Sequence, residues 1–193
     1  MLRGSDVGAC MRTVTDWSKL RGKEAAFAST GGLETIRKWV DEPAAIVKWV
    51  LEYLPKGSYV ADLGCGTGRV SIPLCVPFNT ISIDYHSNMP LSSPRPLRIH
   101  PYGEAFSVHG VISCYVMQHI PPELLFTHLS LLLKSSWEYL FLLESTCPSD
   151  FEDFNFRTVF ETWASTNHIE LVNRRDWEFE PTVSACTYKR NQL

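Results

Sequence analysis

Apolar residues along this chain alternate between two rhythms. From Leu33 to Val40, and again from Pro43 to Leu54, they recur at helical spacing: Ile36, Trp39 and Val40, then Ile46, Val47, Val50, Leu51 and Leu54. Two helices are expected, the second with Asp41 as its cap and Pro43 in its first turn. Short strand-like runs follow. Tyr59 to Leu63 reads as a buried strand after the turn at Lys56-Gly57, and Thr80 to Ile83 alternates as a second. Leu97 to Ile99 predicts a short third strand, Val108 to Cys114 a fourth and Tyr139 to Leu143 a fifth, with Ile169 to Val172 and Thr182 to Tyr188 as the last two. Between them, helices are expected from Val70 onward, from Pro121 to Leu133 and from Phe151 to Ala164. Such alternation predicts an α/β fold with helices on both faces of a mostly parallel sheet.

Breaks in the pattern matter as much as the pattern. Met1 to Gly32 has mixed polarity and no firm period, so it is expected to be an N-terminal extension with partial helix, a possible lid over a site held by residues 33–193 as one domain. Pro90, Pro94, Pro96 and Pro101 crowd the crossover between the second and third strands, where proline cannot sustain a helix. That crossover should be short and mostly extended.

The segment Val60 to Arg69, VADLGCGTGR, joins a buried strand to an acid and three glycines. Gly64, Gly66 and Gly68 remove side chains where the backbone must turn and where a ligand can come close. Thr67 is expected to cap the following helix, which starts with Val70, Ile72 and Leu74. A glycine loop between strand and helix also marks dinucleotide sites, but their spacing is GxGxxG, whereas this loop is GxGxG with Asp62 two residues before the first glycine. A carboxylate there would repel a pyrophosphate and suit an ammonium group. S-adenosylmethionine carries an amino group and a sulfonium but no phosphate, so it fits better. The second strand ends at Asp84, sixteen residues past Gly68, where a carboxylate could accept both hydroxyls of a ribose.

With these residues in place, the chain resembles the class I S-adenosylmethionine-dependent methyltransferases. ADLGCGTGR matches their first motif almost letter for letter, and ISIDYHSNM is similar to the second. VHGVISC followed by Tyr115 to Pro121 resembles their segment after strand four, and Leu133 to Glu144 their fifth strand. The resemblance spans about Ala44 to Thr146. It implies a Rossmann-like, seven-stranded, mostly parallel sheet whose last two strands form an antiparallel hairpin, here with a shortened crossover between strands two and three.

The resemblance also assigns roles. Asp62 would bind the methionine ammonium directly or through water, the backbone at Gly64 and Gly66 would approach the ribose and methionine portions, and Asp84 would hold the ribose. Tyr85 would lie against the adenine, and Cys65, Gly68 and Tyr115 complete the expected cofactor contacts. The adenine-side acid of relatives is missing or moved to Glu104. His119 follows strand four near the expected position of the methyl, and a histidine can accept a proton near neutrality. It is the first catalytic candidate, and Glu144 at the end of strand five is the second, as base or substrate anchor. His86 lies at another strand end, and Arg69 is read as a structural ion-pair partner.

Composition bounds the acceptor more than the cofactor. At 193 residues, 45% hydrophobic and with net charge -3, the chain suits one globular domain and gives no electrostatic reason to expect nucleic acid. Arg174-Arg175 and Lys189-Arg190 are too short to track phosphates. No apolar run reaches membrane-spanning length and no signal-peptide core is evident, so a soluble cytoplasmic protein is expected. Six scattered cysteines without CxxC spacing read as free thiols, and no metal is expected. The expected activity is methyl transfer to a small molecule. Peptide or RNA acceptors, or a noncatalytic cofactor-binding scaffold that activates a partner methyltransferase, are the alternatives, and the sequence does not fix the oligomeric state.

Overall fold

The computed structural model describes residues 36–85, 99–145 and 155–191. Helix α1 (Ile36–Leu51) leads into strand β1 (Tyr59–Leu63), a one-turn helix α2 (Ser71–Leu74) and β2 (Asn79–Ile83). After the crossover come β3 (Ile99–His100), β4 (Gly110–Cys114), a 3-10 turn at Met117–His119 and α3 (Pro122–Lys134). Strand β5 (Tyr139–Ser145), helix α4 (Phe156–Thr166) and the hairpin β6 (Ile169–Trp177) and β7 (Glu180–Arg190) complete the fold.

The strands form one seven-stranded sheet in the order β3-β2-β1-β4-β5-β7-β6. Neighbours from β3 to β5 pair in parallel, whereas β7 runs antiparallel to both β5 and β6. Both faces are covered, so the central strands carry apolar side chains in both directions. Leu140 and Leu142 of β5 pack with Leu125 and Leu129 of α3 and Phe160 of α4, while Phe141 and Leu143 pack on the other face with Ile46, Trp49 and Val50 of α1. The chain leaves β1 toward β2 on one side, and its later half returns to β4 on the other. Such a switch opens a crevice at the carboxyl ends of β1 and β4, where open α/β sheets bind ligands.

Several elements depart from their expected bounds. Helix α1 runs unbroken through Pro43, so Asp41 lies inside it rather than at a cap position. The proline costs one backbone hydrogen bond, but the helix is anchored by the buried side chains of Glu42, Ile46, Trp49 and Val50. Helix α2 shrinks to four residues, and its cap position is Val70 with no side-chain hydrogen bond, so Thr67 is not the cap. Pro77 cannot offer an amide to the carbonyl of Pro73, which ends the turn. Strands β6 and β7 exceed their apolar runs because Asn173, Arg174, Arg175 and Asp176 sit on an exposed edge and are held by pairing with β7, past an irregularity between Leu171 and Asn173. Helix α4 starts at Phe156, where Asn155 accepts from the Thr158 amide at 3.2 Å. The first-helix residues before Ile36, the extension 1–32, most of the proline crossover with His86, and residues 151–154 of the expected last helix lie outside the described residues.

Candidate functional site

The site begins where β1 ends. Gly64, Gly66 and Gly68 take φ of 82°, 51° and 84°, in the left-handed region that disfavours other residues. The loop folds back on β2: the amides of Gly64 and Cys65 both donate to the Ile83 carbonyl, at 2.7 and 3.1 Å. One residue on, the Gly66 amide donates to Asp84 Oδ2 at 2.8 Å. The strand-two acid is therefore fastened to the glycine loop.

Asp62, on the same loop's approach, is 2% exposed and faces α2. Its Oδ2 accepts from Ser71 Oγ at 2.5 Å, and Ser71 Oγ in turn accepts from Ser82 Oγ at 2.9 Å. Burial pushes the carboxyl up to about 6, with the Asp84 charge adding to the rise while the Ser71 hydrogen bond and the Arg69 cation oppose it. A buried carboxylate next to a second acid is a place where a ligand cation would be welcome. Cys65 lies between them, and burial, followed by the Asp62 and Asp84 charges, holds its thiol far above the reactive range.

Beyond Asp84 stands an aromatic wall. Tyr85 is 61% exposed, and its ring meets that of Tyr102 edge-on at 5.3 Å. The Tyr102 hydroxyl bonds His128 Nδ1 at 3.2 Å, and burial lowers the His128 pKa to about 4, so the imidazole is neutral near pH 7. Tyr102 escaped the sequence reading because it sits in an irregular stretch after β3. Glu104, weighed as a displaced adenine-side acid, is exposed.

The other wall is the segment after β4. Tyr115 has φ 59°, unusual for a residue with a side chain, and its amide donates to the Leu143 carbonyl at 2.8 Å. The amides of Val116 and Met117 both donate to Glu144 Oε1 at 2.9 Å. Glu144 is 2% exposed, so its carboxylate holds this segment from below. His119 closes the 3-10 turn, half-buried, its amide donating to the Val116 carbonyl at 3.0 Å. Val116 bears directly on the glycine loop: a Cβ added at Gly64 would come within 2.3 Å of Val116 Cγ2.

A second residue was missed entirely. Glu42 of α1 is fully buried and accepts from Arg69 Nη1 at 2.6 Å, the Tyr115 hydroxyl at 2.6 Å and Trp177 Nε1 at 2.8 Å. Arg69 is thus the ion-pair partner expected of it. The only local hint was one acid beside Pro43 within an apolar helix pattern. The structure brings Asp62, the three glycines, Cys65, Asp84 and Tyr85 together on one side of the crevice, and Tyr115, His119 and Glu144 on the other. Among the described residues, no three His, Cys, Asp or Glu side chains gather as a metal ion would require, and no helix is long and apolar enough to cross a membrane.

No family model matches the chain, and no curated protein does. Solved structures do. The magnesium protoporphyrin IX methyltransferase of Synechocystis, solved with bound S-adenosylmethionine, is 18% identical with a TM-score of 0.62 over 83% of this chain and 86% of its own. The 1,6-didemethyltoxoflavin-N1-methyltransferase of Burkholderia thailandensis is 13% identical, with a TM-score of 0.63 over 86% of this chain and 84% of its own. A 16S rRNA methyltransferase, RmtF, is 13% identical, with a TM-score of 0.57 over 91% of this chain and 72% of its own. At such identities the likeness establishes the fold. It is the Rossmann-like fold of class I methyltransferases, a mixed, mostly parallel sheet flanked by helices.

Proposed function

We propose that this protein is an S-adenosylmethionine-dependent methyltransferase of the class I family, with residues 33 to 193 as its catalytic domain and a small molecule as its acceptor. The observation that carries the reading is the tie between Gly66 and Asp84, with Asp62 buried near the end of β1, where the same loop begins. This donor set fits the cofactor: carboxylates for an ammonium and for ribose hydroxyls, bare backbone at the glycines, and the Tyr85 ring for an adenine face. S-adenosylmethionine supplies a methyl carbon on a sulfonium, already activated for in-line displacement.

The protein's part is then positioning, which can lower the barrier by several kcal/mol. Asp62 orients the methionine end and Asp84 the ribose. Glu144 acts by fixing the amides of Val116 and Met117, while His119, on the same segment, takes a proton from the acceptor where one must leave. A net charge of -3 favours a small molecule over RNA. Resemblance in fold extends to enzymes named for small molecules and for rRNA alike, so the acceptor rests on charge rather than on fold. The free thiols of Cys65, Cys75, Cys114 and Cys186 favour a reducing compartment, and we place the protein in the cytoplasm.

Calorimetry with S-adenosylmethionine tests the cofactor: absence of binding would eliminate the enzyme reading. A labelled-methyl screen over small-molecule, peptide and RNA pools tests the acceptor, and label appearing only in RNA would overturn the small-molecule reading. His119→Ala should then abolish most turnover on that acceptor while cofactor affinity stays within about twofold.

A further inference from the structure

The most elaborate polar cluster among the described residues is not in the crevice but behind it. Glu42 is fully buried, and a carboxylate there is costly unless its oxygens are well satisfied. Its three donors come from three separate connections at the carboxyl edge of the sheet: Arg69 from the exit of the glycine loop, Tyr115 from the start of the β4 to α3 connection, and Trp177 from the end of β6. Replacing such a cluster whole by apolar side chains of similar volume is often neutral for stability, so stability alone does not account for a buried carboxylate. What it does supply is a fixed distance between the two walls of the crevice.

The geometry of Tyr115 shows how. Its backbone is turned into the left-handed region, its hydroxyl reaches away from the crevice to Glu42, and the Arg69 guanidinium lies 6.0 Å from its ring centre. With Tyr115 held this way, the next residues pass over the glycine loop, where Val116 rests on Gly64. We propose that Glu42 is a positioning residue for the cofactor cleft: by holding Tyr115 and Arg69 together it sets the segment from Val116 to His119 against the glycine loop. The role in binding rests on the cofactor reading above, but the positioning itself does not.

Tyr115→Phe keeps the ring and removes the hydroxyl donor, and Thr187→Val is its control, because it removes the buried acceptor of Trp49 Nε1 in the middle of the sheet. Hydrogen exchange read by NMR at the Val116 and Met117 amides should quicken about tenfold in Tyr115→Phe and stay at the wild-type rate in Thr187→Val, although both variants lose a buried hydrogen bond. S-adenosylmethionine affinity by calorimetry should fall about tenfold in the first and hold in the second. Unchanged exchange at both amides in Tyr115→Phe, or equal quickening in the control, would overturn the proposal. Wild-type protein that binds no S-adenosylmethionine would remove the cofactor reading instead, and the exchange comparison would still decide this one.

Discussion

The Gly66 amide donates to Asp84 Oδ2 at 2.8 Å, so the acid expected to hold a ribose is already aimed by the loop expected to carry the rest of the cofactor. Asp84→Ala removes both the proposed ribose contact and the loop's tie to β2 through Gly66. Affinity for S-adenosylmethionine should fall by more than about tenfold, since a hydrogen bond to a charged group is worth roughly 1.5–3 kcal/mol. Asp84→Asn keeps an acceptor for Gly66 and should recover the loop but not the affinity. Calorimetry and thermal melting separate the two effects, and an Asp84→Ala protein that binds normally would sink the ribose assignment.

Gly64 meets two constraints at once. An alanine there must adopt φ 82°, costing about 1–2 kcal/mol, and its Cβ would press into Val116 from 2.3 Å. Gly64→Ala should therefore destabilise the fold by about 2–4 kcal/mol in urea denaturation. Adding Val116→Ala should restore only the part due to overlap. Full recovery would mean that the backbone strain counts for nothing, and no recovery would mean that the contact does.

The legible parts of this protein are those whose signal is local. Strand β1 has the same ends in pattern and structure, Tyr59 and Leu63, because a buried parallel strand is a nearly continuous apolar run, interrupted here only by Asp62, and the glycine that ends it follows directly. Helix α2 misled because Val70, Ile72 and Leu74 suggest a longer helix than Pro73 and Pro77 permit. The Glu42 cluster was out of reach for a different reason. Its partners lie 27, 73 and 135 residues away, and only the folded sheet brings them to one carboxylate.

Asp62 and His128 should oppose each other as the protein is acidified. Asp62 has its pKa raised to about 6, so between pH 4 and 6 the folded state binds the extra proton and stability falls as pH rises. His128 has its pKa lowered to about 4, so from pH 4 to 6.5 the unfolded state binds the extra proton and stability climbs as pH rises. Each contribution is on the order of 3 kcal/mol, and they nearly cancel. Asp62→Asn should unmask the histidine, giving a protein that weakens steeply from pH 6 to 4, while His128→Leu should give one that strengthens over the same interval. Urea midpoints at pH 4.5, 5.5 and 7 check this, and an Asp62→Asn profile parallel to wild type would show that Asp62 is not the buried acid responsible.

The same acid should make cofactor binding depend on pH. Pairing with an ammonium needs the Asp62 carboxylate, which at pH 7 is mostly ionised but below its pKa of about 6 must first lose a proton. Affinity for S-adenosylmethionine should be highest near pH 7, between the pKa of the carboxyl and that of the ligand's amino group, and weaken toward about tenfold per pH unit below 6, with binding releasing a proton there. Calorimetry at pH 5.5 in two buffers of different ionisation enthalpy measures that proton directly. Asp62→Asn should bind more weakly at pH 7.5, lose the pH dependence, and release no proton. If wild type binds equally well at pH 5 and 7.5, the ammonium is held elsewhere, and the Asp62 to Ser71 hydrogen bond serves only to anchor α2 beneath the loop.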